Sequence, residues 1–176
     1  LTLSGGGSTV AGFAINRFGG DGLHLDTVGG NRIVANHVGT SAAGATAQAN
    51  AGNGIGAFFP SHFNVIGGAT VADRNVISGN GTSGIYVSGC VGTTVQGNFI
   101  GLGVGGALAI PNAGAGITFN QVHQGLIGGP AAGMGNVVSG NFSGIDLLTA
   151  CDSTVVQGNR IGTDATGTLA RPNTSN

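Results

Sequence analysis

The sequence predicts an all-β fold, a right-handed parallel β-helix solenoid of about six coils with about 30 residues each. Two observations carry this prediction. A segment that begins NVISGNGTSGIYVSG at Asn75 returns 61 residues later as NVVSGNFSGIDLL at Asn136. A second pattern, Gly followed by alternating apolar residues, recurs every 28 to 32 residues. A constant period of this length is typical of solenoids, in which each repeat buries its apolar side on the next.

The recurring pattern is predicted to be a strand. It reads GLHLD at Gly22, GIGAF at Gly54, GIYVS at Gly84, GITFN at Gly116 and GIDLL at Gly144. Apolar and other residues alternate with period 2, and so much Gly would cost a helix about 1 kcal/mol per residue. Each interval also holds a short strand such as VQGNFI or VISGN, so a coil has two or three strands. The inward positions should form one aliphatic column: Leu23, Ile55, Ile85, Ile117 and Ile145.

The two ends of the sequence follow the same repeat. LTLSG at Leu1 matches IYVSG at Ile85, which predicts coils that start at residues 1, 23, 55, 85, 117 and 145 of a single domain, 1–176. The spacing places the next strand just after Asn176, and neither end shows a capping element. Open solenoid ends permit head-to-tail stacking, so Leu1, Thr2, Leu3 and Ser4 are the predicted self-association residues. The alternative is a segment of a longer repeat protein.

Asparagine recurs at the predicted corners, at Asn36, Asn80, Asn98, Asn141 and Asn159. Asn tolerates left-handed backbone angles, and its amide bonds backbone groups at a bend. When such residues stack in register they form amide ladders. The sequence therefore predicts ladders rather than ordinary loops at these corners.

Composition excludes several function classes. The 38 glycines are about three times the usual share, whereas charged residues make up only 6 %. The net charge is −1, there is no Lys, and the five arginines are scattered, so nucleic acid is not an expected partner. Apolar residues never run to 18 in succession, so no membrane span is expected.

The phrases SGGGSTVAGFAINRF, RNVISGN, GIYVSG and TVVQGNRIGTDATGT resemble the right-handed parallel β-helix repeats of large bacterial secreted and surface proteins. The wider group is the pectate-lyase-like superfamily, which includes polysaccharide-acting enzymes. The resemblance covers essentially the whole chain and implies an extracellular or cell-surface location. It does not select a function, because one fold serves many.

The outward positions of the recurring strands are the place to look for a ligand. They give His24, Asp26, Tyr86 and Asp146 as candidate ligand-binding residues, with His24 and Asp26 as a candidate general base and its orienting group. Glycoside hydrolysis needs two carboxyl groups about 5–9.5 Å apart. Asp26 and Asp146 lie four coils apart, about 19 Å at the ordinary strand spacing. The catalytic interpretation is therefore weaker than a solvated polar face.

No cofactor or metal site is expected. Calcium takes several carboxylate oxygens, yet no two acidic residues lie within four positions of each other. The loop GTDATG with Asp164 looks like a ligand loop, but its counterparts GTSAAG and GLGVGG lack a carboxylate, which favours a structural turn. Cys90 and Cys151 occupy equivalent positions two coils apart, about 9.6 Å and too far for a disulfide.

These observations favour a non-catalytic extracellular scaffold, structural or adhesive. It would be either a head-to-tail polymerising fibre subunit or a segment of a larger surface protein. The alternative is a carbohydrate-active β-helix enzyme, a polysaccharide lyase or glycoside hydrolase, or a polysaccharide-binding module that uses the face around His24, Asp26, Tyr86 and Asp146.

Overall fold

The computed structural model describes residues 1–175, in which 18 strands and one short 3-10 helix, Val71–Asp73, are found. Sheet A contains β1 (Thr2–Leu3), β4 (Leu23–Leu25), β7 (Ile55–Phe58), β10 (Ile85–Ser88), β13 (Ala115–Asn120) and β16 (Ser143–Leu147). Sheet B contains β2 (Thr9–Ala11), β5 (Arg32–Val34), β8 (Val65–Gly67), β11 (Thr94–Gln96), β14 (Leu126–Gly128) and β17 (Val155–Gln157). Sheet C contains β3 (Ala14–Ile15), β6 (His37–Val38), β9 (Val76–Ile77), β12 (Phe99–Ile100), β15 (Val137–Val138) and β18 (Arg160–Ile161).

Every strand pairs in parallel with the strand one turn of the chain away, so each coil gives one strand to each sheet. Six coils result, which confirms the predicted parallel β-helix. The third strand of each coil is the short pair of residues in sheet C. No helix in the described part of the chain, residues 1–175, is long and apolar enough to cross a membrane.

The predicted aliphatic column is present in sheet A. Leu23 pairs with Ile55, Ile55 with Ile85, Ile85 with Ile117, and Ile117 with Ile145. The first four side chains are fully buried, while Ile145 in the sixth coil is partly buried. The strands are too short to bury anything by themselves, so this column depends on coil stacking.

The corner asparagines form two ladders of five residues each, which confirms the predicted type of contact and adds members that the sequence did not single out. The first ladder contains Asn36, Asn75, Asn98, Asn136 and Asn159. The second contains Asn50, Asn80, Asn112, Asn141 and Asn173. The five asparagines named above therefore belong to two corners rather than one.

Asn98 shows how a ladder member is bonded. Its Oδ1 accepts the backbone N–H of Asn75 at 3.2 Å and the Nδ2 of Asn75 at 2.8 Å. Its own Nδ2 donates to the carbonyl of Ile66 and to Oδ1 of Asn136, both at 3.0 Å. Gly97 before it has φ +67°, where a Cβ would lie 2.1 Å from the Gly68 carbonyl oxygen. Only glycine makes this corner without strain.

The second to sixth coils alternate between two shapes, which explains the 61-residue module. After sheet C, three coils carry a long loop, at 39–47, 101–109 and 162–170, each closed by an antiparallel bridge. These loops stack into a loop ridge, because Val104 N–H donates to the Gly44 carbonyl and Ala165 N–H donates to the Gly106 carbonyl. Between sheets B and C the long loops belong to the third and fifth coils, at 68–74 and 129–135, whereas the first coil has neither long loop.

Asp164 forms hydrogen bonds within its own loop of the loop ridge. Its Oδ1 accepts hydrogen bonds from the Thr166 hydroxyl at 2.7 Å and from the Thr168 backbone N–H at 3.0 Å. These bonds hold the pKa of the Asp164 carboxyl below its usual range, with the Thr166 hydroxyl as the largest cause. The structural turn predicted for GTDATG is confirmed.

A third, shorter ladder stops at Thr93. Asn31 donates through Nδ2 to Oδ1 of Asn64 at 3.0 Å. Thr93 is next in register, because Thr94 pairs with Val65. The Thr93 hydroxyl is buried and has no hydrogen-bond partner among residues 1–175.

Replacing Thr93 with Val is expected to raise the free energy of unfolding by about 1–2 kcal/mol, because it removes an unsatisfied buried hydroxyl while keeping the shape. Urea denaturation followed by circular dichroism measures the change. Thr118→Val is the matched control, because the Thr118 hydroxyl lies 3.2 Å from the Ser83 hydroxyl. Removing this hydrogen-bonded hydroxyl should lower the free energy of unfolding of the protein. Equal losses in the two variants would contradict the assignment of an idle hydroxyl at Thr93.

Candidate functional site

The outer surface of sheet A, called here the sheet A face, collects the candidate ligand-binding residues. His24 pairs with Gly56, Gly56 with Tyr86, Tyr86 with Thr118 and Thr118 with Asp146. These positions therefore form one outward column that crosses five coils. Asp26 lies two residues after His24 on the same face.

Three rings lie next to one another on this face. The His24 and Phe58 rings are stacked, with centroids 4.8 Å apart and planes 29° apart. Phe58 continues to Tyr86, with centroids 5.9 Å apart. Because consecutive coils contribute these rings, they form an aromatic row along the solenoid axis. Such a row can stack against the apolar face of a ring-shaped ligand.

Gly56 makes room for this row. It stands directly between His24 and Tyr86 in the outward column. A Cβ at this position would lie 2.7 Å from Cε2 of Phe58 and 2.5 Å from Oδ2 of Asp21. The missing side chain allows Phe58 to bend over the column and Asp21 to reach His24.

The structure pairs His24 with Asp21 and not with Asp26. Nδ1 of His24 lies 3.0 Å from Oδ2 of Asp21, and the Asp21 side chain is only 13 % exposed. Oδ1 of Asp21 accepts the backbone N–H of Asn53 at 2.8 Å and its Nδ2 at 3.0 Å. Asp21 is thus an anchored orienting group for the His24 ring, the role that the sequence assigned to Asp26.

The other candidates are more dispersed. Oδ1 of Asp26 is 3.4 Å from the Ser4 hydroxyl, at the side of the first coil. Asp146 accepts a hydrogen bond of 2.8 Å from the Ser143 hydroxyl, two coils beyond Tyr86. Asn120 donates a long hydrogen bond of 3.4 Å to the Tyr86 hydroxyl. The structure therefore brings His24 and Tyr86 together through Phe58 and leaves Asp146 apart.

The carboxylates Asp21, Asp26 and Asp146 all have hydrogen-bond partners within the protein. The two oxygens of Asp21 already hold His24 and Asn53, so His24 and Asp21 form an oriented pair. Within the described residues, no group of three or more His, Cys, Asp or Glu side chains is placed to hold a metal ion. A ligand on the sheet A face would meet aromatic rings, the His24 imidazole, the Asn120 amide and, two coils beyond Tyr86, the Asp146 carboxylate.

Neither cysteine belongs to the outward column of the sheet A face. Both are free, with Cys90 buried and Cys151 partly exposed. Burial raises the pKa of the Cys90 thiol to about 11. Because only a thiolate is a good nucleophile, Cys90 is inert near neutral pH and fills space in the core.

The candidate ligand-binding residues chosen from the sequence included neither Asp21 nor Phe58. The sequence GDGLHLD indicates a turn before the strand. The strand register alone could not show whether Asp21 or Asp26 turns toward the His24 ring. Phe58 belongs to the sheet A face because Gly56 is small, and this dependence was visible only after the strands were aligned.

No family model, curated protein or solved structure matches this chain.

Proposed function

We propose that this protein is a non-catalytic extracellular scaffold, structural or adhesive, that extends along its solenoid axis. The observation that carries the proposal is the sixth coil. Val156 pairs with the fully buried Ile127, and Ile161 pairs with the fully buried Val138, yet Val156 and Ile161 are 42 % and 48 % exposed. A further coil on this side would bury both side chains in the pattern of the coils before it.

The first coil offers a compatible surface. Strand β1 pairs with β4 on one side, and its other side is open in the described chain. The first strand continues the register of sheet A. Thr2 lies opposite His24, and Leu3 lies opposite Leu25. A coil stacked here would also meet a flat edge without the lysines that usually discourage strand pairing. The added coil belongs either to a second copy or to a longer chain of the same repeat.

The extracellular location and a kinship with the pectate-lyase-like superfamily are parts of the same proposal. The low charge and the repeat phrases support them. A fold held by neutral amide ladders and aliphatic columns needs few ionic groups, which suits a long passive structure.

End-to-end association is testable with the purified chain. We expect oligomers whose size grows with concentration in analytical ultracentrifugation, and filaments with the coil repeat of about 4.8 Å continued across each junction. Thr2→Pro and Ser4→Lys should block association, because they remove or charge the open edge. Ser88→Lys, an outward change in the middle of sheet A, is the matched control and should leave association unchanged. A chain that stays monomeric at high concentration would refute the fibre-subunit form of the proposal.

A second candidate function is a polysaccharide-binding or carbohydrate-active surface, and the aromatic row of His24, Phe58 and Tyr86 favours it. Aromatic rings on a solvent-facing sheet stack on sugar rings, while His24 and Asp21 offer polar contacts. A panel of polysaccharides should be tested for binding, for new reducing ends and for unsaturated uronides. Phe58→Ala should weaken any binding about tenfold, whereas Phe142→Ala, an exposed ring elsewhere, should not.

A further inference from the structure

A groove on the outside of sheet C has a different character from the sheet A face. It encloses about 640 Å³ between the loop 129–135 and the loop ridge at Ala165. Phe99 and Val137 form its floor, and Arg74 and Arg160 line it. This volume is in the range of sites that hold small organic molecules. The feature is called here the sheet C groove.

Arg74 is held rigidly over the groove floor. Its guanidinium carbon lies 4.1 Å from the centre of the Phe99 ring, and its Nε donates to the Gly97 carbonyl at 3.0 Å. Phe99 is only 5 % exposed. Partial burial lowers the pKa of Arg74, which is the expected effect of removing water from a cation. The guanidinium remains charged near neutral pH.

Arg160 enters the same groove from the sixth coil. It pairs with Val137, which pairs with Phe99, so it lies two coils from the ring that Arg74 covers. Unlike Arg74, Arg160 is exposed and its charge faces solvent. Within residues 1–175, neither Arg74 nor Arg160 forms an ion pair with a carboxylate.

The carboxylates of the neighbouring loops are occupied elsewhere. Asp73 accepts hydrogen bonds of 2.7 Å from Arg32 and from the Thr70 hydroxyl. Asp164 accepts hydrogen bonds from within its own loop. The described lining of the groove contains two cations and no carboxylate, in a chain that has only five arginines.

We propose that the sheet C groove binds a small organic ligand that carries two oxyanion groups, each paired with one of the two arginines. The planar guanidinium matches the oxygens of phosphate, sulfate and carboxylate groups with paired hydrogen bonds. The partly desolvated Arg74 gains most from such a partner, because a charge removed from water is costly until it is paired. Pro130, Ala131 and Ala132 on the rim offer apolar contact to the body of the ligand.

This inference does not rest on the scaffold function, because its chemistry depends on Arg74 and Arg160, although Arg160 and Ala165 belong to the sixth coil that the scaffold proposal extends. Its chemistry also differs from that proposed for the sheet A face, where rings and amides would meet a neutral sugar. A bis-anionic ligand recognised here would decorate the side of the scaffold without altering its core.

Calorimetric titration with fructose 1,6-bisphosphate, fructose 6-phosphate, fructose and inorganic phosphate tests the proposal at low ionic strength. The bisphosphate should bind at least about tenfold more tightly than the monophosphate, and fructose should not bind. Arg160→Gln should remove that advantage without unfolding the protein, because Arg160 is exposed. Arg74→Gln should weaken both phosphate sugars.

Arg17→Gln is the matched control, because Arg17 is exposed and lies outside the groove. It should leave all affinities unchanged. The proposal is overturned if no phosphate compound binds at about 10 mM, a concentration at which even a weak site is occupied. It is also overturned if fructose binds as well as its bisphosphate, or if Arg17→Gln weakens binding as much as Arg160→Gln.

Discussion

Asn98→Ala is expected to lower the free energy of unfolding by about 3–5 kcal/mol. The substitution removes the acceptor of the Asn75 backbone N–H and of the Asn75 side-chain amide. It also removes the donor to the Ile66 carbonyl. All three groups belong to the interior of the solenoid, where water cannot replace Asn98 without opening a coil. Each unsatisfied buried group costs about 1–3 kcal/mol, which explains the size of the effect.

Urea denaturation with circular dichroism measures the loss, and Asn120→Ala is the control. Asn120 is a partly exposed asparagine on the sheet A face, with a single long hydrogen bond of 3.4 Å to the Tyr86 hydroxyl. Its replacement should change stability by less than about 0.5 kcal/mol. Similar losses at Asn98 and Asn120 would mean that the ladder adds nothing to an ordinary polar contact. A typical domain has a total stability of about 5–15 kcal/mol, so Asn98→Ala should leave a marginal fold.

Ile117→Ala is expected to cost about 2–5 kcal/mol, the usual range for a truncated core isoleucine. Ile117 is fully buried between Ile85 and Ile145 of the adjacent coils, so the cavity has neighbours on both sides along the axis. The short strands are held by two corners each and cannot collapse freely into the space. Ile85→Ala should have a similar cost for the same reason.

The same denaturation experiment on Ile145→Ala gives the comparison. Ile145 occupies the next position of the column but is only partly buried, so its truncation should cost clearly less than that of Ile117. A loss below about 0.5 kcal/mol at both Ile85 and Ile117 would show that the strand register is wrong. Comparing the loss of stability at Ile85, Ile117 and Ile145 thus tests both the strand register and the stacking of the coils.

Part of the sheet A face followed directly from the sequence. A strand of period 2 with Leu23 and Leu25 inward must place His24 and Asp26 outward, so their face was certain once the register was certain. The partner of the His24 ring could not be derived from the register. Asp21 approaches from a turn, and turns have no periodicity from which a side-chain direction can be derived. The two arginines of the sheet C groove are 86 positions apart in the sequence, and only the stacking of coils places them on one surface.

The sequence by itself determined the parallel β-helix, its coil starts and the column from Leu23 to Ile145, because each of these is a repeat and a repeat in the chain becomes a repeat along the axis. It determined that asparagines stack, but it did not assign Asn98 and Asn80 to different corners. Only the tertiary structure decided that, since the corner loops alternate in length between coils. It also decided that Asp21 orients His24 and that Arg74 covers Phe99. Those contacts depend on where irregular loops turn, and loop direction is decided by the space that neighbouring coils leave.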